Sequence, residues 1–508
     1  MLKGSPFPPI CVALGCADAG QLEKLAREAC DNGEQFLEIR MDLVEQAAQA
    51  VGVIRRLKER YPEALVIATC RRQPNGGKFR GGVEQQLQLL EEAVEAGAEA
   101  VDVEVETAGA APERVSVLRV RAKLIVSYHN FHSTPPLAGV WRRLRAVPAD
   151  AHKLVTMARK PTDNLRVLEA AQSAGRTPAV VLAMGEEGTP SRILALSRGG
   201  AFTYAAPPFR PCGDRAAPTA AGQVAAWQMR RCYRADRHGP DTAVYGVIAS
   251  PVGHSISPAV HNRAFQARRV DAVYVPFLVA PTQMRDFLTL AVRLPVAGFS
   301  VTIPHKQRIA RALAAVDPPA RRIGAVNTVY RRHGRLRGTN TDAAGVTAPL
   351  EKRLRLKGAK VLIAGNGGAA RAAAFALLDK GAEVCLTGRN PARVRSLARL
   401  CGASAVTLDG LGERRFDVVV HATPVGMHPN PNECLFRDDI PGELVFEMVY
   451  NPLETRLLKK ARAAGKTVIS GLEMFLEQAA AQFEIWTGMT APRLAMESAA
   501  REALAAVS

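Results

Sequence analysis

Paired cysteines are missing from this chain. Its nine cysteines are scattered, none stands in a CxxC pair and their number is odd, so a reducing compartment is expected rather than a disulfide framework. Long apolar runs are missing too. No stretch approaches the length of a membrane span, and the opening MLKGSPFPPI has no signal-peptide core; a cytoplasmic protein without a membrane partner is expected. Aromatics are few, at 5% of residues. That scarcity bears on the excess of base over acid: 67 Lys and Arg against 48 Asp and Glu give a formal charge of +19. Basic clusters such as RRLR (142–145) and RRHGRLRG (331–338) lie in separate segments and lack the interleaved aromatics that stack bases, so nucleic acid is not the expected partner. A basic field suits small anionic substrates and phosphorylated cofactors instead. Metal-ligand spacing is absent as well, since HNFH (His129 and His132) has no further ligands nearby, and no metal is expected.

What is present is a chain of 508 residues with 47% hydrophobic content, enough for two to four α/β domains. Up to about residue 210, short apolar runs alternate with Ala-, Leu-, Glu- and Arg-rich helical segments. The runs are ICVALG (10–15), FLEIRM (36–41), LVIATC (65–70), AVDVEVE (100–106), KLIVSYH (123–129), KLVTMA (153–158), AVVLAM (179–184) and AFTYAA (201–206). Eight such repeats predict a (β/α)8 TIM barrel, whose chemistry gathers where strands end and loops begin. Polar residues fall at those places: Glu38 and Arg40 on the second strand, Arg71 after the third, His129 closing the fifth, Lys153 opening the sixth and Arg192 in the loop after the seventh. A lysine shielded from water and flanked by arginines is disfavoured as ammonium and can attack a ketone. A neighbouring histidine moves protons near neutral pH, and arginines hold a carboxylate. The combination points to Schiff-base chemistry on a small keto acid.

EIRMDL, SYHNFHSTP, the lysine of ADAHKLVTMA, MGEEGTPSRI and GAFTYAAP with TAAGQV occur in order across residues 1 to about 230. In these motifs the segment resembles type I 3-dehydroquinate dehydratase. The resemblance implies that Lys153 forms the imine and His129 acts as general acid and base, with Glu38, Arg40, Arg71, Arg192, Thr219 and Gln223 binding the substrate. Three positions depart from the family pattern. Asn75 stands where a Glu often precedes the paired glycines and would face the catalytic histidine, Asn130 stands where Asp follows that histidine, and Thr219 replaces the usual Ser.

A polar, basic boundary, RRCYRADRHGPDTAVYG, precedes a new strand at 243–249. Further on, VLIAGNGGAARAAAFALLDKGAEVCLTGR (361–389) reads as strand, Gly-rich turn, helix and strand, a dinucleotide-binding unit. No acid ends its second strand; Arg389 and Arg393 stand there instead, which favours a 2'-phosphate and hence NADP.

With HSISPAVHN (254–262), GFSVTIPHK (298–306), IGAVNTV (323–329), GTNTDAAG (338–345), ATPVGM (422–427), VYNPLETRLLKKARAAG (449–465) and GLEMFLEQAA (471–480), residues 244–508 resemble shikimate dehydrogenase. The resemblance implies that Ser255 and Ser257 bind the substrate carboxylate from an extended turn before Pro258 starts a helix. Thr302, Asn327, Tyr450 and Gln478 complete the pocket, and Lys306 with Asp342 forms the catalytic pair. It places Gly365, Asn366, Gly367, Gly368, Ala369, Thr387, Arg389, Arg393, Thr423, Met448 and Gly471 at the cofactor. Gly388, Asn390 and His421 depart from the usual Asn, Thr and Asn.

The expected domains are a dehydratase barrel (1–235), a shikimate-binding α/β domain (241–345, completed by about 471–508) and a Rossmann NADP domain (346–470). The whole resembles the bifunctional enzymes that turn 3-dehydroquinate into 3-dehydroshikimate and then shikimate. Asn75 and Asn130 leave a second reading open, an active NADP-dependent shikimate or quinate dehydrogenase fused to a degenerate, non-catalytic barrel.

Overall fold

The computed structural model describes residues 7–173, 175, 177–207, 218–436 and 439–506. The first six residues, part of the opening read above for a signal peptide, lie outside them. Two compact units emerge, Met1–Ala243 with Asp271–Val279 and Arg285–Pro295, and Val244–Val270 with Ala280–Met284 and Val296–Ser508. Among the described residues no helix is long and apolar enough to cross a membrane.

In the first unit eight parallel strands form a near-closed barrel: β1 (Ile10–Leu14), β2 (Phe36–Arg40), β3 (Leu65–Thr69), β4 (Ala100–Glu104), β5 (Lys123–His129), β6 (Ala151–Met157), β7 (Ala179–Met184) and β8 (Thr203–Ala205). The order is β7-β6-β5-β4-β3-β2-β1-β8. Just before β8, the Ala201 N–H donates to the Ala179 carbonyl at 2.7 Å and brings the two ends together. Both strand faces are covered, one by the barrel lumen and one by helices, so β1, β4 and β7 are buried at every residue.

The period of two along each strand stacks the lumen in layers. Cys11, Phe36, Ile67, Ala100, Ile125, Ala151 and Val180 belong to an apolar plug completed by Phe7, Phe202 and Tyr204. Two residues further along, the same strands carry Glu38, Thr69, Asp102, Ser127 and Lys153, and beyond these come Arg40, Arg71, Glu104 and His129.

Three features depart from the sequence pattern. Lys153 does not open the sixth strand; β6 begins at Ala151, and Lys153 is flanked by Ser127 and Val180 of the neighbouring strands. The fourth run stops at Glu104, because Val105–Ala110 is helical. Arg192 lies on the short helix Thr189–Leu194 rather than in a loop.

The remaining strands begin with β9 (Ala243–Ala249) and β10 (Ala272–Leu278), the latter grouped with the first unit together with most of the helix Met284–Arg293. In the second unit, β11 (Gly298–Val301), β12 (Ala315–Val316), β13 (Thr328–Arg332) and β14 (Arg335–Thr339) continue a mixed sheet in the order β9-β11-β13-β14-β12. β9 and β11 are parallel, so the segments after them emerge at one edge. The cluster RRHGRLRG is the β13–β14 hairpin, whose turn residues His333 and Gly334 have φ of 49° and 74°.

A second, wholly parallel sheet comprises β15 (Lys360–Ala364), β16 (Glu383–Thr387), β17 (Ser404–Ala405), β18 (Phe416–His421), β19 (Gly442–Glu447) and β20 (Thr467–Ile469). Its order, β17-β16-β15-β18-β19-β20, is that of a doubly wound dinucleotide fold, with the topological switch between β15 and β18. Its strands and the helix Gly368–Asp379 share one apolar core.

Candidate active sites

Glu38, Arg40, Arg71, His129, Lys153, Arg192, Thr219 and Gln223, all singled out from the sequence, line one pocket in the barrel. Lys153 is at its floor, with 5% of its side chain exposed. Its Nζ donates to Asp102 Oδ2 at 2.8 Å, Tyr204 Oη at 2.9 Å and Glu38 Oε1 at 3.1 Å. Asp102 joins the groups around it, since Oδ1 accepts from Ser127 Oγ at 2.6 Å and Arg71 Nη2 at 3.0 Å. Burial alone would raise the Asp102 pKa, but Lys153 and Arg71 outweigh it and hold the carboxyl well below its usual range.

His129 has the opposite balance. Arg71 Nη1 lies 2.7 Å from both ring nitrogens and can only donate, so a cation stands directly against the imidazole. Burial first, then the charges of Arg71 and Lys153, push the His129 pKa well below 6.5, against a smaller pull from Asp102. The neutral imidazole is therefore favoured in this setting.

Arg192 is 2% exposed and has no acidic partner among the described residues. Among the described residues its guanidinium donates only from Nη2 to the Ala221 carbonyl at 3.3 Å and its Nε has no partner, and burial lowers its pKa to about 10. A buried guanidinium left in this state is a receiver for an anion. Arg40, by contrast, is already held bidentately by Asp42, with both bonds 2.9 Å. The loop bearing Thr219 and Gln223 is pinned to the rim because Gly222, with φ of +75°, packs where a Cβ would lie 2.0 Å from the Gly185 carbonyl oxygen.

Asn75 does not meet His129. Its Nδ2 donates to Glu106 Oε2 at 3.1 Å. Asn130 instead shapes the following turn, its Oδ1 accepting from the His132 and Ser133 N–H groups. Asp102, Tyr204 and Ser127 were missed from the sequence; the available signal was an acid inside an apolar barrel strand.

In the second unit, Lys306 begins the helix Lys306–Ala312 and its Nζ donates to Asp342 Oδ2 at 2.5 Å. Asn327 Nδ2 donates to Asp342 Oδ1 at 2.8 Å and lies 3.4 Å from Gln478 Oε1. These four residues form one bonded network. Ser255, Ser257 and Thr302 stand on the segments leaving β9 and β11. Ser257 is the first helical residue rather than part of an extended turn, and its N–H donates to Ser255 Oγ at 3.3 Å. Tyr450 packs on Phe475 with ring centroids 5.0 Å apart, and burial raises its phenol pKa to about 12.

The Gly-rich turn follows β15. Gly365 has φ of +134°, and a Cβ there would lie 2.6 Å from the Ala422 carbonyl oxygen. Gly367 caps the helix Gly368–Asp379 and has open space where its Cβ would be. That cradle, with Asn366 and Ala369 beside it, fits a pyrophosphate at a helix N-terminus. A Cβ on Gly368 would lie 3.0 Å from Lys306 Cβ, so the turn and the Lys306 stem are in close contact. Thr387 ends β16 and Arg389 and Arg393 follow it, Thr423 follows β18, Met448 follows β19 and Gly471 opens the helix after β20. All lie at the C-terminal edge of the sheet. Arg389 and Arg393 are exposed, and neither forms an ion pair among the described residues.

The family model described as type I 3-dehydroquinase matches residues 10–240. Models described as shikimate dehydrogenase substrate binding domain, shikimate/quinate 5-dehydrogenase and shikimate 5'-dehydrogenase C-terminal domain match 247–329, 349–428 and 471–501. The bifunctional 3-dehydroquinate dehydratase/shikimate dehydrogenase of Arabidopsis thaliana, described as chloroplastic, is 35% identical over 94% of this chain and 82% of its own length. The chain belongs to the bifunctional 3-dehydroquinate dehydratase/shikimate dehydrogenase family.

It is thus a lyase and an NADP-dependent oxidoreductase of the shikimate pathway in one polypeptide. A shikimate dehydrogenase (NADP(+)) from Methanosarcina acetivorans is 42% identical over 52% of the chain and 99% of that protein. A solved shikimate 5-dehydrogenase from Thermus thermophilus, in complex with NADP(H) and shikimate, is 37% identical, covers 52% of this chain and all of its own, and has a TM-score of 0.49.

Proposed function

We propose that the barrel pocket dehydrates 3-dehydroquinate through an imine on Lys153 and that the Lys306–Asp342 pair serves shikimate formation at the second site. The gathering of seven other sequence-selected residues around the buried Lys153 carries the first half. Arg192, buried without an acidic partner, receives the substrate carboxylate. Lys153 Nζ, once deprotonated, attacks the ketone carbon, water leaves and an iminium forms. His129, neutral, takes a proton from the adjacent carbon while the iminium accepts the electron pair. The protonated His129 then delivers that proton to the departing hydroxyl. Hydrolysis of the imine frees 3-dehydroshikimate and restores Lys153.

At the second site, Ser255 and Ser257 bind the carboxylate, with Thr302, Asn327, Tyr450 and Gln478 around the ring. NADPH, when bound, would supply the hydride for reduction of the ketone carbon. Lys306 gives its proton to the oxygen as it gains charge, and Asp342, steadied by Asn327, keeps the ammonium in place. Gly365, Asn366, Gly367, Gly368 and Ala369 cradle the pyrophosphate, Thr387, Thr423, Met448 and Gly471 border the cofactor, and Arg389 and Arg393 take the 2'-phosphate. The proposed domains remain 1–235, 241–345 with 471–508, and 346–470. The eight free cysteines among the described residues suit a reducing compartment such as the cytoplasm.

The test uses the intact chain with NADPH and either 3-dehydroquinate or 3-dehydroshikimate. NADPH consumption from both substrates, with shikimate as product, is expected. Consumption from 3-dehydroshikimate alone would favour the reading in which the barrel is degenerate.

A further inference from the structure

Two ionisable side chains lie buried beside the cofactor turn and take no part in the chemistry above. His421 ends β18 and Glu447 ends β19; they are register partners, with 1% and 0% of their side chains exposed. Burying such groups is costly unless their polar atoms are met, and here each is. His421 Nδ1 lies 2.8 Å from Glu447 Oε1, and its Nε2 lies 2.6 Å from Thr423 Oγ. Glu447 Oε1 also accepts from the Val449 N–H at 2.9 Å, and Oε2 accepts from Thr455 Oγ at 3.0 Å. Thr455 Oγ in turn accepts from the Leu458 N–H at 3.3 Å and caps the helix Arg456–Ala463.

The donor inventory gives these bonds a direction. Glu447 meets two groups that bring their own protons, so the carboxylate acts as acceptor and His421 keeps a proton on Nδ1 facing it. In the neutral ring, Nε2 then accepts the Thr423 hydroxyl proton. Thr423 Oγ also accepts from the Val425 N–H at 3.2 Å. With its proton turned inward, Thr423 has only a lone pair to offer outward, which suits a hydroxyl or amide donor of a ligand. The same carboxylate ties down Val449, between Met448 and Tyr450.

We propose that His421 and Glu447 are positioning residues of the dehydrogenase, which together present Thr423 to the cofactor as an acceptor and fix the Met448–Tyr450 loop. This rests on the reading that NADP binds at the Gly365–Gly368 turn.

Calorimetric titration of NADP into the full chain tests it, with thermal unfolding and dehydratase activity measured alongside. His421→Leu, similar in bulk but without polar atoms, should raise the NADP Kd about tenfold or more, roughly the worth of one well-placed hydrogen bond. His421→Gln, which keeps one donor and one acceptor, should recover most of the loss. The double variant His421→Leu/Glu447→Gln should bind no worse than about threefold from the weaker single variant, because the two act as a unit. Dehydratase kcat/KM should not change. An NADP Kd within twofold of wild type in folded His421→Leu, or equal binding by the Leu and Gln variants, overturns the proposal. If His421→Leu does not fold, Thr423→Val carries the test: a comparable loss is expected, and unchanged affinity overturns it. If Arg389→Ala binds NADP as wild type does, the cofactor reading itself has failed, an outcome distinct from the His421 results.

Discussion

Lys153 and Lys306 both lean on carboxylates, yet one is enclosed and the other is reachable. Lys153 has 5% of its side chain exposed, lies inside a ring of strands and is gripped by Asp102, Glu38 and Tyr204. Lys306 is 16% exposed, stands at the start of a helix and has one carboxylate partner, Asp342. An amine that is to form a C–N bond gains from enclosure, because water competes for the imine and orientation governs attack. An amine that only passes a proton needs one anchor and a path to the reacting oxygen. The difference suits each lysine to the chemistry proposed for it, and separate substitutions can break the correspondence.

The largest effect is expected for Lys153→Ala, which should lower dehydratase kcat by ~10^3-fold or more, since Lys153 is the proposed imine-forming amine and no other lysine lines the pocket among the described residues. Shikimate oxidation by that variant should stay at the wild-type rate. Lys306→Ala should do the reverse, lowering dehydrogenase kcat by ~10^2 to 10^4-fold with a smaller change in the shikimate KM and leaving dehydration intact. Steady-state assays of both reactions on each variant check the pair. Arg389→Ala should raise the KM for NADP by roughly tenfold to a hundredfold and that for NAD far less, because one charge-assisted bond to a 2'-phosphate is lost.

The dehydratase pH profile sharpens the contrast further. His129 acts as a base only when unprotonated, and burial with Arg71 and Lys153 holds its pKa down. The acid limb of kcat should therefore lie below pH 6.5. Arg71→Gln should move it upward by removing a positive charge, measured in kcat at saturating substrate. The smallest effect is expected for Asn75→Glu. It would set a carboxylate beside Glu106, the partner of Asn75, and leave the limb where it is.

Much of this was legible in the chain because barrel strands and Gly-rich turns are local patterns. The eight apolar runs and the 361–389 stretch needed no long-range information. Asp102 was not legible as part of the site. In AVDVEVE it reads as a polar position on a half-exposed strand, and only closure of the barrel turns it toward Lys153, 51 residues away. Asn75 failed for a similar reason, since loop packing sends its amide to Glu106. The His421–Glu447 pair depends on the register of β18 and β19, which short-range periodicity does not specify.

Borohydride trapping tests the central claim most directly. The full chain is mixed with 3-dehydroquinate, reduced and digested, and its peptides are weighed by mass spectrometry. A substrate-derived mass is expected on the Lys153 peptide, none on the Lys306 peptide and none anywhere in Lys153→Ala. Label on Lys306, label persisting in Lys153→Ala, or an unlabelled wild-type chain that still dehydrates its substrate would contradict it.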